Sequence, residues 1–278
     1  MPELPEVETV RSGLAPVLEG ATIHDVTLHR ADLRFPFPPA FAADLKARKI
    51  TKLQRRAKYL LTYLDNDRIW ITHLGMTGAL TIRAQASPLQ THDHMVMTVG
   101  DRILTYNDPR RFGFMDLINA DDWAAHKYFK HLGPEPLADE FSADYLINIC
   151  CNKTQSIKQT LMDQRVVVGV GNIYACEALY RAGINPTRAA GALSRKRLGV
   201  LTAAVKDIIA DAIQAGGSTL RDYRKSDGSP GLFQHRFCVY GRENDLCPKC
   251  ANTVLEKPCI RRIVQGGRST FYCHRTQR

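Results

Sequence analysis

The chain has 278 residues, 44% of them hydrophobic, with 38 Lys and Arg against 28 Asp and Glu, a net charge of +10 and a pI near 9.3. That length allows two cored domains, and the basic balance points to a polyanionic partner, nucleic acid before a membrane surface. No stretch approaches the ~18 uninterrupted apolar residues of a membrane span, and no basic-then-apolar leader opens the chain, so a cytoplasmic protein is expected. Its eight cysteines, two of them in CPKC, fit a reducing compartment and a metal site better than a disulfide framework.

The chain opens Met1-Pro2-Glu3-Leu4-Pro5-Glu6-Val7-Glu8. Initiator methionine is normally trimmed before a small residue, so the mature chain is expected to begin with Pro2, a secondary amine followed directly by a carboxylate. An α-amino group titrates near ~7.7–8.0, so a useful fraction is a neutral nucleophile near neutral pH. Such an amine can attack a sugar or carbonyl carbon and form an imine, with Glu3 and Glu6 moving protons if partly buried. The same residues also read as an ordinary amphipathic helix. Val7, Val10, Leu14 and Leu18 make an apolar stripe, and acidic residues in the first turn complement the macrodipole.

That helix should end near Gly20. Short β-rich runs follow at 21–28, 49–53, 59–64, 69–74, 79–83, 94–99, 103–106 and 114–118, separated by turns such as Asp65-Asn66-Asp67 and Gly100-Asp101. So many short strands predict a β-sandwich or barrel. The Pro-rich segment 36–39 is a loop before a short helix at 40–47. Arg55-Arg56-Ala57-Lys58 reads either as a charge-protected edge strand or as a cation beside a reacting sugar or its phosphate. His131-Leu132-Gly133-Pro134-Glu135-Pro136 breaks the β pattern and serves as the linker.

Helical spacing then predicts helices at 141–150, 155–163, 173–182 and 195–215, the last capped by Ser194 and stopped by Gly216-Gly217. Gly169-Val170-Gly171-Asn172 looks like a dinucleotide fingerprint, but the third glycine position is Tyr174 and no acidic residue rescues it. Asn172 instead opens a helix that Gly183 closes, either as a structural N-cap or at an N-terminus whose free N–H groups attract phosphate. A polar loop at 217–231 precedes a short β-rich cysteine module.

The opening PELPEVE resembles the bacterial formamidopyrimidine-DNA glycosylases, repair enzymes that remove oxidised purines. The resemblance continues, in one order, at RRAKYL (55–60), HLGMTG (73–78), NDPRRFG (107–113), HLGPEPL (131–137), VGVGNIYACEAL (168–179), SDGSPG (226–231) and GGRSTFYC (266–273), covering nearly the whole chain. It implies an α+β chain with three parts: an N-terminal catalytic β-sandwich with a flanking helix (1–133), a helix–two-turn–helix domain (134–232) and a β-hairpin zinc-finger-like module (233–278).

The resemblance further implies Pro2 as nucleophile, Glu3 as proton carrier and Lys58 as the essential lysine. Asn172, Arg268 and Lys58 would grip phosphates, with Tyr240 and His73 as weaker phosphate contacts. Met76, Arg110 and Phe112 would fill the hole left by an extruded base, the arginine facing the estranged cytosine. A Met or Phe in a β domain is more often core, but these lie in Gly-flanked turns, and an apolar wedge with a planar guanidinium suits that job. In relatives the loop Ser218–Gly231 closes on the flipped purine.

The cysteine module departs from the family. Relatives read C-x2-C-x16-C-x2-C, a closed tetrahedral zinc site. Here Cys247 and Cys250 are followed by Cys273 after 22 residues, and Thr276 stands where the last cysteine belongs. One structural zinc is expected on Cys247, Cys250 and Cys273. Three readings stay open: Cys259 or His274 supplies the fourth ligand, the site is weak with three, or the finger folds without metal. The expected activity is a bifunctional glycosylase and abasic-site lyase, acting as a monomer on double-stranded DNA with oxidised bases or abasic sites. The alternatives are an endonuclease VIII-like enzyme for oxidised pyrimidines and a non-catalytic damaged-DNA-binding protein.

Overall fold

In the computed structural model, which describes residues 2–85, 88–121, 123–219, 223–251 and 257–278, the N-terminal stretch is helix α1 (Leu4–Leu18). Glu3 and Glu6 form a capping box, each carboxylate accepting the other's backbone N–H, and Pro5 sits in the first turn where no N–H is needed. Val7, Val10, Leu14 and Leu18 are buried, as the helical period requires, and Gly20 at φ +84° turns the chain away.

Eight strands follow: β1 (Ile23–Leu28), β2 (Ile50–Arg56), β3 (Tyr59–Leu64), β4 (Arg68–His73), β5 (Ala79–Arg83), β6 (Asp93–Val99), β7 (Arg102–Asn107) and β8 (Phe114–Asn119). A short helix, α2 (Phe41–Leu45), lies between the first two. The strands form two four-stranded antiparallel sheets, β1-β6-β7-β5 and β2-β3-β4-β8. Met95, Met97 and Val99 on β6 and Leu104 and Tyr106 on β7 turn inward with period two. They share one apolar cluster with Leu53, Leu60, Trp70 and Met115 of the other sheet and with the α1 stripe. This is the expected sandwich with a flanking helix. β2 runs past its expected end at residue 53 because Arg55 and Arg56 pair with Leu60 and Tyr59. The hairpin closes on the two-residue turn Ala57-Lys58, with Ala57 at φ +54°.

The later part of the chain holds α3 (Ala143–Cys150), α4 (Ile157–Met162), α5 (Asn172–Arg181), α6 (Arg195–Gln214), α7 (Pro248–Ala251) and the strands β9 (Ile260–Gln265) and β10 (Arg268–Cys273). Ser142 and Ser156 cap α3 and α4 through their hydroxyls. Ser194 accepts the Arg197 N–H at 3.4 Å at the start of α6, and Gly216 and Gly217, both at positive φ, stop the chain after it. β9 and β10 pair antiparallel through Gly266-Gly267, at φ +54° and +73°. Both turn residues need the left-handed region, which glycine enters without strain.

Two compact units result: Met1–Lys130 with Ile213–Gln234, and His131–Ala212 with His235–Arg278. Residues 213–234 follow the helical part along the chain but pack within the first unit. The bonds responsible are local to that unit. The Ser218 N–H donates to Glu6 Oε1 at 2.7 Å, the Tyr223 hydroxyl to the Glu6 carbonyl at 3.3 Å, and the Ile82 N–H to the Ser226 carbonyl at 2.9 Å. Among the described residues, no helix is long and apolar enough to cross a membrane.

Candidate active site

The N-terminal turn is built around two buried carboxylates. Glu3 and Glu6 are 3% and 1% exposed, and Pro2 is buried beside them in the chain. Glu6 reaches in two directions: Oε2 accepts the Glu3 N–H at 2.8 Å and Oε1 accepts the Ser218 N–H at 2.7 Å. One side chain therefore fixes the residue after Pro2 and the start of the 217–231 loop together. Gly217 (φ +75°) makes this approach feasible, since a Cβ there would meet the Glu6 side chain at 3.0 Å. Leu220, Arg221 and Asp222 of the loop lie outside the described residues. While Met1 is attached, the Pro2 nitrogen is an amide; only its removal yields an amine.

Lys58, part-buried in the β2–β3 turn, contributes to the field on His73. Burial, followed by Lys58 and Arg34, pushes the imidazole down to about 4. Its Nδ1 accepts the Gly75 N–H at 3.1 Å and its ring stacks on Phe114 with centroids 5.3 Å apart. At neutral pH His73 is therefore an uncharged imidazole with its proton on Nε2, able to donate one hydrogen bond but not a positive charge.

Met76 is part-buried in the β4–β5 turn, while Arg110 is exposed and Phe112 is 43% exposed in the β7–β8 turn. The Arg110 guanidinium carbon lies 4.7 Å from the Phe112 ring centroid, a cation–π pair. Beneath them is the buried carboxyl of Asp108, which sequence reasoning passed over.

In the second unit, Asn172 opens a helix as expected, but not as its structural N-cap. It is the first residue of α5, the N-cap is Gly171, and there is no side-chain cap. Its amide instead spans neighbouring elements: Oδ1 accepts from Lys158 Nζ at 2.6 Å, and Nδ2 donates to the Ser269 carbonyl at 2.9 Å and, at a longer 3.4 Å, to the Tyr240 hydroxyl. Asn172 is thus tied to the strand that begins with Arg268, whose exposed side chain follows the Gly266-Gly267 turn. Lys158 is fully buried and also donates to Thr270 Oγ1 at 2.6 Å. The available signal in the sequence was its position three residues before Leu161, on the buried side of α4. Glu177, 2% exposed, accepts the N–H groups of Cys238, Val239 and Tyr240 at 2.8–3.0 Å. It fixes the segment carrying Tyr240, and its burial raises its own pKa against those bonds.

Cys247, Cys250, Cys259 and Cys273 are all buried, with their sulfurs mutually within 4.8 Å. Tetrahedral zinc with Zn–S bonds of ~2.3 Å needs sulfurs ~3.8 Å apart, and Cys250 and Cys273 are separated by 3.8 Å. The donor set fits one structural zinc, with Cys259 placed as a fourth donor. Cys259 immediately precedes β9, where Ile260 pairs with Cys273, so both cysteines lie at the root of one hairpin. His274 is not in the cluster; its Nδ1 lies 2.8 Å from the Cys259 carbonyl. Thr276 is outside it too, with a buried hydroxyl lacking a hydrogen-bond partner. The geometry favours Cys259 over His274 as the fourth donor.

Comparison with known proteins agrees with this architecture. Residues 1–115 match the formamidopyrimidine-DNA glycosylase N-terminal domain, and residues 132–224 match the formamidopyrimidine-DNA glycosylase H2TH domain. The chain is 48% identical to the formamidopyrimidine-DNA glycosylase of Rhizobium leguminosarum bv. trifolii and 50% identical to that of Beijerinckia indica subsp. indica, each alignment covering 100% of both chains. Among solved structures it superposes on the Fpg protein of Thermus thermophilus with a TM-score of 0.86 at 38% identity, covering 99% of this chain and 98% of that one. A Lactococcus lactis Fpg mutant in complex with Fapy-dG containing DNA gives a TM-score of 0.91 at 32% identity, covering 100% of both chains. The capped N-terminal helix, the sandwich, the helical domain and the cysteine-rooted hairpin, matched along their whole length, place this chain in the formamidopyrimidine-DNA glycosylase family.

Proposed function

We propose that this protein is a DNA glycosylase and abasic-site lyase that excises oxidised purines, 8-oxoguanine opposite cytosine and formamidopyrimidines, from double-stranded DNA. With Met1 removed, the Pro2 nitrogen attacks C1′ of the damaged nucleotide. The C1′–base bond breaks, the base leaves with a proton, and the opened sugar is held as an imine on Pro2. Glu3 carries the protons exchanged at the sugar, and Lys58 supplies positive charge at the sugar or its phosphate. Loss of the C2′ proton expels the 3′ phosphate, and a second elimination expels the 5′ phosphate.

The observation that carries this reading is the Glu6 carboxylate. It accepts the N–H of Glu3, next to the nucleophile, and of Ser218, at the start of the loop proposed to read the base. Backbone affinity comes from phosphate neutralisation and falls with salt. Asn172, Arg268 and, more weakly, Tyr240 serve phosphates in the second unit, while His73 donates as a neutral imidazole. Met76, Arg110 and Phe112 fill the vacated stack. Zinc, held by the four cysteines, supplies fold stability to the hairpin that bears Arg268. We place the protein in the cytoplasm as a monomer, on the strength of its DNA substrate and its thiol metal site.

Borohydride reduction traps the imine. A duplex with 8-oxoguanine opposite cytosine should give a covalent adduct with the processed protein and none with Pro2→Gly. A thymine glycol duplex should trap far less, and the reverse order would assign the chain to oxidised pyrimidines. No adduct on either duplex would make the protein a passive binder.

A further inference from the structure

We propose that Asp108 is the positioning residue that locks the Gly75–Gly78 and Asp108–Gly113 turns into one rigid wedge. The inference rests on the void-filling role proposed for Met76, Arg110 and Phe112. Asp108 is 0% exposed. Its Oδ1 accepts the Thr77 hydroxyl at 2.5 Å, and its Oδ2 accepts the Gly113 N–H at 2.9 Å and the Tyr106 hydroxyl at 3.2 Å. Thr77 Oγ1 in turn accepts the Arg110 N–H at 3.1 Å. The Asp108 carbonyl accepts from His94 Nε2 at 2.9 Å and from the Arg111 N–H at 3.2 Å. The first turn, both ends of the second and strand β7 thus converge on one residue.

The backbone packing says the same independently. A Cβ on Gly75 would collide with the backbone of Phe112 and Gly113, and one on Gly113 would collide with the Tyr106 hydroxyl and press on Asp108 Oδ2. The two turns therefore touch main chain to main chain. Arg111 sits at φ +54°, a conformation uncommon for a non-glycine residue.

The chemistry of the hub explains why it is a carboxyl group. Three donors converge on two oxygens, which together offer about four lone pairs and no hydrogen of their own. An amide would turn an N–H pair toward at least one of those donors. Burial and Asp108 hold the Tyr106 hydroxyl well above its ordinary pKa, so it stays a donor. A buried, multiply bonded carboxyl is costly to desolvate. A wedge that must stay inserted against re-stacking bases needs such fixed support.

The test compares wild type with Asp108→Asn and Thr77→Val. Three quantities are read: single-turnover excision from an 8-oxoguanine duplex, fluorescence of a 2-aminopurine next to the lesion as a report of wedge insertion, and borohydride trapping on a single-stranded abasic oligonucleotide, which has no stack to fill. The ratio of duplex excision to single-strand trapping should fall by about tenfold or more in Asp108→Asn and by a smaller factor in Thr77→Val, with the 2-aminopurine signal falling in step. A mere stability defect would lower both activities together and leave the ratio at its wild-type value, overturning the inference. If Asp108→Asn does not fold, Thr77→Val decides, since it keeps the bonds to Gly113 and Tyr106; an unchanged ratio there overturns the inference as well. Wild type that excises nothing from the duplex sinks the proposed function itself, whereas active wild type matched by both variants sinks only the role of Asp108.

Discussion

Glu6→Gln isolates the contact that unites the turn after Pro2, the proposed nucleophile, with the loop proposed to read the base. The carboxylate accepts two backbone N–H groups, from Glu3 at 2.8 Å and Ser218 at 2.7 Å, on a side chain 1% exposed. Glutamine keeps the shape but has one acceptor oxygen, so its amide must face one of those donors. The loss is one charge-assisted bond, roughly 1.5–3 kcal/mol, plus the cost of a buried unpaired donor, roughly 1–3 kcal/mol. The negative charge near the α1 N-terminus goes too, worth about 0.3–1 kcal/mol. A total of about 3–7 kcal/mol lowers Tm by roughly 6–28 °C at this size. Tyr223→Phe, which removes a hydroxyl shared between the Glu6 carbonyl at 3.3 Å and the Gly216 carbonyl at 3.4 Å, is the scale bar at about 1 kcal/mol. Calorimetry gives the stability term. The functional term is excision of 8-oxoguanine against cleavage of a preformed abasic site. Excision should suffer more, because the loop contact is lost and a preformed abasic site has no base for the loop to hold. A Glu6→Gln protein melting within a degree or two of wild type, with both activities intact, would refute the reasoning.

Other expectations follow from the same geometry. Elemental analysis should find one zinc per chain, and Cys259→Ser should weaken zinc retention against a chelator by more than about a hundredfold; full retention would remove Cys259 from the ligand set. His73 is held at about 4 by burial, Lys58 and Arg34, below its ordinary 6.5, so the unfolded chain takes up the proton first as pH falls. Its contribution is therefore complete above about pH 6.5 and declines toward pH 4, by up to roughly 3 kcal/mol. Urea unfolding of His73→Gln should show a flatter pH slope across that window, and an identical slope would contradict the assignment. Lys158→Met deprives Asn172 and Thr270 of their buried donor and should weaken binding to an abasic-analogue duplex by about 1–3 kcal/mol. The salt dependence of binding should stay unchanged, because a buried lysine neutralises no phosphate; a slope reduced by about one would place Lys158 on the DNA. Protein retaining Met1, identified by intact mass, should form no borohydride adduct.

The amino-acid sequence alone determined the features governed by short-range rules. The α1 stripe of Val7, Val10, Leu14 and Leu18 follows from helical period, the strands from alternation, and the ends of α5 and α6 from Gly183 and Gly216-Gly217. The Gly266-Gly267 hairpin follows from the need for two positive φ values. Each is settled by residues within a few positions of one another.

Tertiary structure decided what depends on residues far apart in the chain. Lys158 and Thr270 meet across 112 positions, and Glu6 and Ser218 across 212, so neither bond has a local signature. The same holds for the grouping of residues 213–232 with the sandwich and for the convergence of Thr77, Tyr106 and Gly113 on Asp108. The place of Asn172 at the head of a helix is local and was legible, while the Lys158 and Ser269 groups that claim its amide are not. Cys259 shows the difference most sharply. Spacing along the chain counts residues, but a metal selects sulfurs by distance in space, and only the pairing of β9 with β10 brings Cys259 beside Cys273.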